Sequence, residues 1–328
     1  MKRLFLLTSV LSLLLVSLVF TGICLANEPY KIAVVLSGPI NDGGWNSTAY
    51  ESLIKMQKMV DFEFSYSENV SKSEQEEVFR GYAADGYDLV IGHGFQFGDT
   101  ALKIGPQFKD TFFLVTSSDQ HIQEPNVGCG QLSYSEDGFI LGCIAALLTE
   151  TNKLGYIYGL EMPPHLLTLK YFKLGASYYN PDVEIYTACL GGYDDLNKAK
   201  EAGLAMIEKG VDVLLGNANQ ASAGVALGAQ QKGIFYIGTN NDQHAYAPGT
   251  VVTSNVRHWD VLFEDIVRSG ISGEFKAKYY EVGWGKGSAT LAPFREFEDR
   301  ISAEKKEKIF DLIEKIKSGE IKVKDFDK

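Results

Sequence analysis

A loop near the start of the chain carries side chains suited to recognising a flat polar ligand. It spans residues 41–50, with the sequence NDGGWNSTAY, and follows the apolar run 31–36. The helical spacing of the residues after it predicts that the loop joins a strand to a helix N-terminus. Trp45 on a tight turn can stack on another flat ring, while Asp42 and Asn46 bond to its polar edge. The alternative is that Trp45 packs on the sheet and Asp42 caps the helix.

Polar or aromatic residues also follow most of the other predicted strands and occupy two later segments. In chain order these candidates are Phe95, Asp119, Asn217, Asn219, Asn240, Asp242, Arg257 and Trp284. Asn and Asp favour turns in any protein, so one such loop would mean little. Their repetition at successive strand ends favours a shared ligand face, because the carboxyl ends of parallel strands meet at one edge of a sheet.

The elements that must position these residues alternate between strand and helix in two successive halves. Strands are predicted at 31–36, 62–66, 87–91, 112–115, 127–132, 154–158, 183–188, 212–215 and 234–237. Such alternation predicts an α/β fold with two doubly wound parallel sheets and a ligand cleft between the two lobes. We expect lobe 1 at 27–132 plus 255–275, and lobe 2 at 133–254 plus 276–328.

The N-terminus has the pattern of an export signal. A basic start is followed by an uncharged apolar run from Leu4 to Phe20 and by small residues up to Ala26. This predicts a signal peptide at 1–26 and a periplasmic or extracellular protein. Lipidation of Cys24 is less favoured, because the bulky Ile23 precedes it. Membrane contact is then expected only through a transporter or such an anchor.

Charge and cysteine content exclude several classes of protein. The formal net charge is −11, and removal of Lys2 and Arg3 with the signal would make it −13. So acidic a chain is a poor partner for nucleic acid. Cys129, Cys143 and Cys189 would remain, an odd number without C-x-x-C spacing, which argues against a disulfide framework or a zinc site. We expect neither a metal nor a cofactor.

The usual catalytic motifs are missing from the sequence. It contains no G-x-S-x-G and no H-E-x-x-H, and its five histidines are scattered. Paired acids such as Asp194 and Asp195 stand where a helix is predicted to begin, which favours capping. We therefore expect no catalytic residues, although a nucleoside-processing enzyme stays an alternative.

Several motifs together resemble a known family of receptors. DGGWN at 42–46, GVDVL at 210–214, IGTNNDQ at 237–243 and TSNVR at 253–257 fall in order along the chain. They resemble the basic membrane protein family of ABC-transporter substrate-binding proteins, whose characterised members bind purine nucleosides. The resemblance implies a type I periplasmic-binding fold, a small-molecule ligand and a transporter permease as partner.

Departures from the family pattern bear on the ligand. The pattern has Phe-Asn where this chain has Trp45-Asn46, which keeps an aromatic ring and an amide. It has Asp in place of Asn240 and Lys in place of Arg257, and these two groups are expected to hold ribose hydroxyls in the family. The chain therefore favours a purine-like heterocycle, with the free base preferred over the nucleoside. A sugar receptor of the same fold is the alternative, because Trp also stacks on sugar rings.

Overall fold

The structure, a computed structural model, describes residues 28–327 and contains two six-stranded sheets with interleaved helices. The strands are β1 Lys31–Val35, β2 Glu63–Ser67, β3 Leu89–Gly92, β4 Phe112–Thr116, β5 Val127–Leu132, β6 Lys153–Tyr158, β7 Glu184–Cys189, β8 Val213–Asn217, β9 Phe235–Gly238, β10 Val251–Arg257, β11 Tyr279–Val282 and β12 Ala289–Leu291. The helices are α1 Trp45–Gln57, α2 Gln75–Ala84, α3 Gly98–Ile104, α4 Tyr134–Leu148, α5 Pro163–Tyr179, α6 Leu196–Ile207, α7 Ser222–Lys232, α8 Trp259–Ile271 and α9 Ala303–Ser318. The predicted signal at 1–26 and Cys24 lie outside the described residues.

The first sheet is parallel throughout and is buried on both faces. Its strand order is β11-β5-β4-β3-β1-β2. Alternate residues of β1 enter different apolar clusters, with Ile32 and Val34 on one face and Val35 on the other. This two-sided burial explains why the central strands are continuous apolar runs, whereas the edge strand β2 is partly exposed.

The second sheet repeats this arrangement with the order β12-β10-β9-β8-β6-β7. Its pairs are parallel except for β10 with β12, which run antiparallel. In both sheets the strand order reverses beside the first strand of the lobe, between β1 and β3 and between β6 and β8. Loops at such a switch point splay apart and form a crevice at the carboxyl ends of the strands. The predicted α/β fold with two doubly wound sheets is confirmed.

The chain crosses between the sheets three times, and two of the crossings differ from the expected boundaries. The first follows β5, which ends at Leu132. All of β10 lies in the second sheet, so the next crossing comes after Arg257 rather than after residue 254. Residues 276–282, expected in lobe 2, include β11, which instead pairs with β5 of the first sheet. This pairing joins distant parts of the chain, so no local pattern reveals it.

Helices α4 and α5 of the second lobe touch backbone to backbone. A Cβ added at Gly142 would lie 2.1 Å from the carbonyl oxygen of Phe172, and one at Gly175 would lie 2.0 Å from that of Phe139. Cys143, predicted to be a small buried apolar residue, lies in this interface and donates its Sγ–H to the carbonyl of Gly175 at 3.1 Å. The three cysteines within residues 28–327 are free.

No helix between residues 28 and 327 is long and apolar enough to span a bilayer.

The contact between α4 and α5 predicts that an alanine at Gly142 destabilises the protein, although alanine normally favours a helix. Gly142→Ala should lower the free energy of unfolding by about 1–3 kcal/mol or more, because the methyl group meets fixed backbone atoms. The matched control is Gly81→Ala in α2, where an added Cβ meets nothing within 4 Å. That change should be neutral or raise stability by up to about 1 kcal/mol, since Ala favours helix over Gly. Urea titrations measure both, and equal effects would contradict the packing argument.

Candidate ligand-binding site

A cavity of about 480 Å³ is lined by loops from the carboxyl ends of both sheets. The first lobe contributes residues that follow β1, β3 and β4, and the second contributes residues that follow β6, β7, β8 and β9. Arg257, at the end of β10, lies at the crossing between the lobes. The volume is within the range of small-molecule sites.

Asp42 is held almost entirely by the protein itself. Its carboxylate accepts hydrogen bonds from the backbone N–H groups of Gly44 at 2.9 Å, Asn46 at 2.9 Å and Ser47 at 3.0 Å. It also accepts from the side-chain amides of Asn46 at 2.7 Å and Asn219 at 2.9 Å. Burial acts to raise the pKa of Asp42, but these bonds outweigh it and the pKa is lowered. Asp42 therefore stays ionised at the N-terminus of α1, although it also lines the cavity.

Trp45 is partly exposed, lines the cavity, and is supported from behind by His93. The two rings stack with centroids 4.2 Å apart, and Trp259 lies nearly perpendicular to both, 5.3 Å from Trp45 and 4.8 Å from His93. Because Trp259 is close to both stacked rings, it flanks their edges and does not cover the second face of Trp45. The indole thus keeps one face for a ligand.

Hydrogen bonds hold this aromatic group in place. The Trp45 Nε1–H donates to the carbonyl of His93 at 3.4 Å, and His93 Nε2 lies 3.2 Å from the carbonyl of Trp45. His93 Nδ1 lies 3.0 Å from the hydroxyl of Thr116. Burial lowers the pKa of His93 to about 3, so the ring is neutral in ordinary buffers. A neutral imidazole whose two nitrogens are both hydrogen-bonded is a rigid support for the indole.

Elsewhere in the cavity wall, a buried ion pair fixes Arg257. Its Nε donates to Asp137 at 2.9 Å, and its Nη1 donates to Asn240 at 2.6 Å. The guanidinium lies over the ring of Tyr134 at 4.5 Å. The other oxygen of Asp137 accepts from Trp284 Nε1 at 2.8 Å. The charge of Arg257 is therefore balanced by Asp137 and needs no charge from a ligand.

Four non-glycine residues of the cavity wall have positive φ angles. These are Asn69 at 56°, Ser117 at 57°, Asn219 at 49° and Asn240 at 69°, each just after a strand. Asn adopts this left-handed conformation more readily than most residues, whereas Ser does so less often. Such backbone geometry turns the chain sharply just after each strand.

Asn219 connects the two lobes directly. Its Oδ1 accepts from the backbone N–H of Trp45 at 3.0 Å, while its Nδ2 donates to Asp42. Asn241 makes a second connection by donating to the carbonyl of Gly43 at 3.2 Å. Both amides come from the second lobe and meet the loop before α1. The side chain of Asn219 is consequently used up in joining the lobes.

Eight of the eleven residues singled out by sequence line the cavity. These are Asp42, Trp45, Asn46, Phe95, Asn217, Asn219, Asn240 and Arg257. The other three are placed elsewhere. Asp119 is exposed to solvent beyond Ser117, and Asp242 forms an ion pair with Arg295 outside the cavity. Trp284 is buried in the core of the second lobe, where it bonds to Asp137.

Part of the cavity wall was missed by the strand-end pattern. The segment after β6 supplies Leu160, Met162, Pro164, His165 and Thr168, and other missed residues are Gln96, Ser117, Tyr134 and Tyr193. Most of these are apolar or aromatic and look like core residues in the sequence. The one signal that could have found the 160–168 segment is the position of β6 at the switch point of its sheet.

The buried imidazole of His93 predicts that the free energy of unfolding falls as the solution becomes more acidic. An unfolded chain protonates His93 near its ordinary pKa of 6.5, but the folded protein does so only near 3. The folded state binds fewer protons between these values, so stability present above pH 6.5 is lost as the pH falls towards 3. His93→Gln should show a smaller loss of unfolding free energy between about pH 7 and 4.5, by up to about 1.4 kcal/mol per pH unit. Urea titrations at both pH values test this, and an unchanged loss would contradict it.

The contact of Asn219 with Asp42 predicts a charge-sensitive lobe closure. Asn219→Asp keeps the shape and the acceptor but places a second carboxylate against Asp42, which should favour separated lobes. Small-angle scattering should then show a larger radius of gyration than for wild type. The control Gln220→Glu adds the same charge at the adjacent residue, which has no hydrogen bond to the described residues of the first lobe. It should leave the radius of gyration unchanged. An unaltered radius of gyration in Asn219→Asp would contradict the idea that Asn219 helps to hold the lobes together.

Comparison with known proteins places this geometry in a family. The chain is 26% identical over 308 residues to a purine-binding protein of Brucella abortus, a match that covers 92% of this chain and 84% of the relative. It is 24% identical over 297 residues to a protein of Haloferax volcanii whose name suggests that it binds glucose for an ABC transporter. This match covers 90% of this chain and 74% of the relative. An ABC transporter solute-binding protein from Aeropyrum pernix has the same fold, with a TM-score of 0.80, 21% identity, and coverage of 90% and 93%.

A family comparison covers nearly all of the described chain. Residues 30–327 match the family described as ABC transporter substrate-binding protein, PnrA-like. The match includes both sheets, all three crossings and every residue of the cavity wall. This protein therefore belongs to the PnrA-like (Bmp) family of ABC transporter substrate-binding proteins.

Proposed function

We propose that this protein is the exported receptor of an ABC importer and that it captures a purine-like heterocycle between its lobes. The observation that carries the proposal is the half-exposed face of Trp45, supported by His93 in a cavity that both lobes line. Aromatic rings stack favourably on flat ligands, and a rigid support reduces the entropy lost on binding. The purine-binding relative from Brucella abortus supports the same ligand class.

The polar atoms around the cavity favour a base over a nucleoside. Asn240 and Arg257 are bonded to each other, and Arg257 is also bonded to Asp137. Neither offers a free carboxylate to a sugar diol, and the carboxylate of Asp42 is already occupied by five donors. At Asn240 and Arg257 a ribose would therefore lose water without gaining a charged acceptor for its hydroxyl groups. We therefore expect the free base to bind at least as tightly as its nucleoside.

Two histidines at or near the cavity are held by hydrogen bonds within the protein, which fits binding without catalysis. His93 is neutral and held by Trp45 and Thr116, and His165 donates its Nδ1–H to the carbonyl of Leu160 at 2.7 Å. Export, association with a permease and the absence of a nucleic-acid partner belong to the same proposal. A sugar is the second candidate, since indole rings stack on sugars and the Haloferax volcanii relative is named for glucose.

Mass spectrometry of small molecules released by denaturing the purified protein tests the ligand class. A purine supports the proposal, whereas a hexose or pentose would replace it with the sugar receptor. Calorimetry on stripped protein should then compare each base with its nucleoside. Nucleoside binding tighter by tenfold or more would contradict the preference for the base.

Trp45→Ala should weaken binding of the base by roughly 30- to 1000-fold, because stacking and buried area, together worth about 2–4 kcal/mol, are both lost. Trp45→Phe is the matched control, since it retains an aromatic ring at the same place and should lose much less. Calorimetry with the same base measures both variants. Equal losses would show that stacking on this residue is not the main source of affinity.

A further inference from the structure

The side-chain amide of Asn240 has only one orientation compatible with its neighbour. Amide oxygen and nitrogen usually have to be assigned from the hydrogen-bond network. A guanidinium has donors only, so the atom of Asn240 that lies 2.6 Å from Arg257 Nη1 must be the oxygen. The nitrogen, Nδ2, is therefore turned away from Arg257. It has no acceptor among the residues that the structure describes, and Asn240 lines the cavity.

Arg257 leaves a second donor at the same place. Its Nε and Nη1 are occupied by Asp137 and Asn240, while Nη2 has no hydrogen-bond acceptor within residues 28–327. The guanidinium cannot turn easily, because it lies over Tyr134 and its side chain is only 4% exposed. The backbone N–H of Arg257 also donates to the carbonyl of Asn240 at 3.0 Å. Both residues are thus fixed at the cavity wall, and each has one donor without a partner among the described residues.

The charge of this pair does not demand an anion. Asp137 is fully buried and balances Arg257, and its other oxygen is taken by Trp284. These two side chains offer only donors to the cavity, because the one oxygen of the Asn240 side chain is already used. A buried donor left without an acceptor costs free energy, so a ligand must bring acceptors to this point.

We infer that Asn240 and Arg257 select a purine whose edge carries two adjacent acceptors, that is, a 6-oxopurine such as hypoxanthine or guanine. The inference rests on the proposed function. The O6 and N7 atoms of such a base are both acceptors and so suit a wall that offers two donors, as in the contacts of Arg with guanine. Adenine presents an acceptor beside an amino donor, an edge that Asn reads with its oxygen and nitrogen together. Asn240 cannot do so, since its oxygen is held by Arg257.

Calorimetry on stripped wild-type protein gives the first test, with hypoxanthine, adenine and unsubstituted purine as probes. Hypoxanthine should bind at least tenfold more tightly than adenine. Purine, which lacks both the oxo and the amino group, should fall between them. Adenine binding as tightly as hypoxanthine would overturn the inference and leave the proposed purine receptor intact. Failure of all three to bind would overturn both.

Asn240→Asp gives the second test, because it replaces Nδ2 with an oxygen and still accepts from Arg257. Hypoxanthine should lose affinity, adenine should lose less or gain, and the ratio of the two should fall by at least tenfold. Asn197→Asp adds the same charge on the exposed face of α6 and should preserve the ratio. An unchanged ratio in Asn240→Asp would overturn the inference. Should that variant not fold, as seen by circular dichroism, the wild-type ratio alone decides.

Discussion

The buried carboxylate of Asp137 is the group on which the junction of the two lobes depends. It stands on α4, just after the first crossing, and accepts from Arg257 at the second crossing and from Trp284 at the third. The neighbouring Glu136 accepts from the backbone N–H of Trp284 at 2.7 Å. The segments that contain Arg257 and Trp284 are therefore both tied to two consecutive residues of α4. Loss of one partner of such a buried pair typically costs about 3–5 kcal/mol, because an uncompensated charge remains.

Hydrogen bonding within the protein distinguishes the residues that position the site from the residues that can bind a ligand. Asp42, Asn46 and Asn219 all line the cavity, yet their polar atoms are largely engaged by one another and by α1. Asn240 and Arg257 are also engaged, but each keeps a donor that has no acceptor among residues 28–327. Proximity to a cavity therefore says less about recognition than the number of unused donors and acceptors there.

The fold and most of the candidate site could be predicted from the sequence, since their signals are local. Apolar runs of strand length, helical spacing and polar strand ends gave both sheets, and they indicated Trp45 and Asn240 at one cleft. The lobe of β11 could not be predicted, because pairing with β5 is a long-range choice. Trp284 was misplaced since glycines around a buried turn look like a ligand loop. Asp119 and Asp242 follow strands, but their side chains point to solvent or to Arg295.

The glycine contact between α4 and α5 limits how the receptor can change its ligand. Tyr134 and Asp137 begin one of these helices, and Pro164, His165 and Thr168 begin the other. With backbone against backbone, neither helix can slide or retreat to enlarge the wall that they share. Adaptation to a bulkier ligand would have to come from exchanging single side chains at the cavity surface. Divergence of specificity on this scaffold is thus expected to proceed by point substitutions and not by remodelling of the lobe.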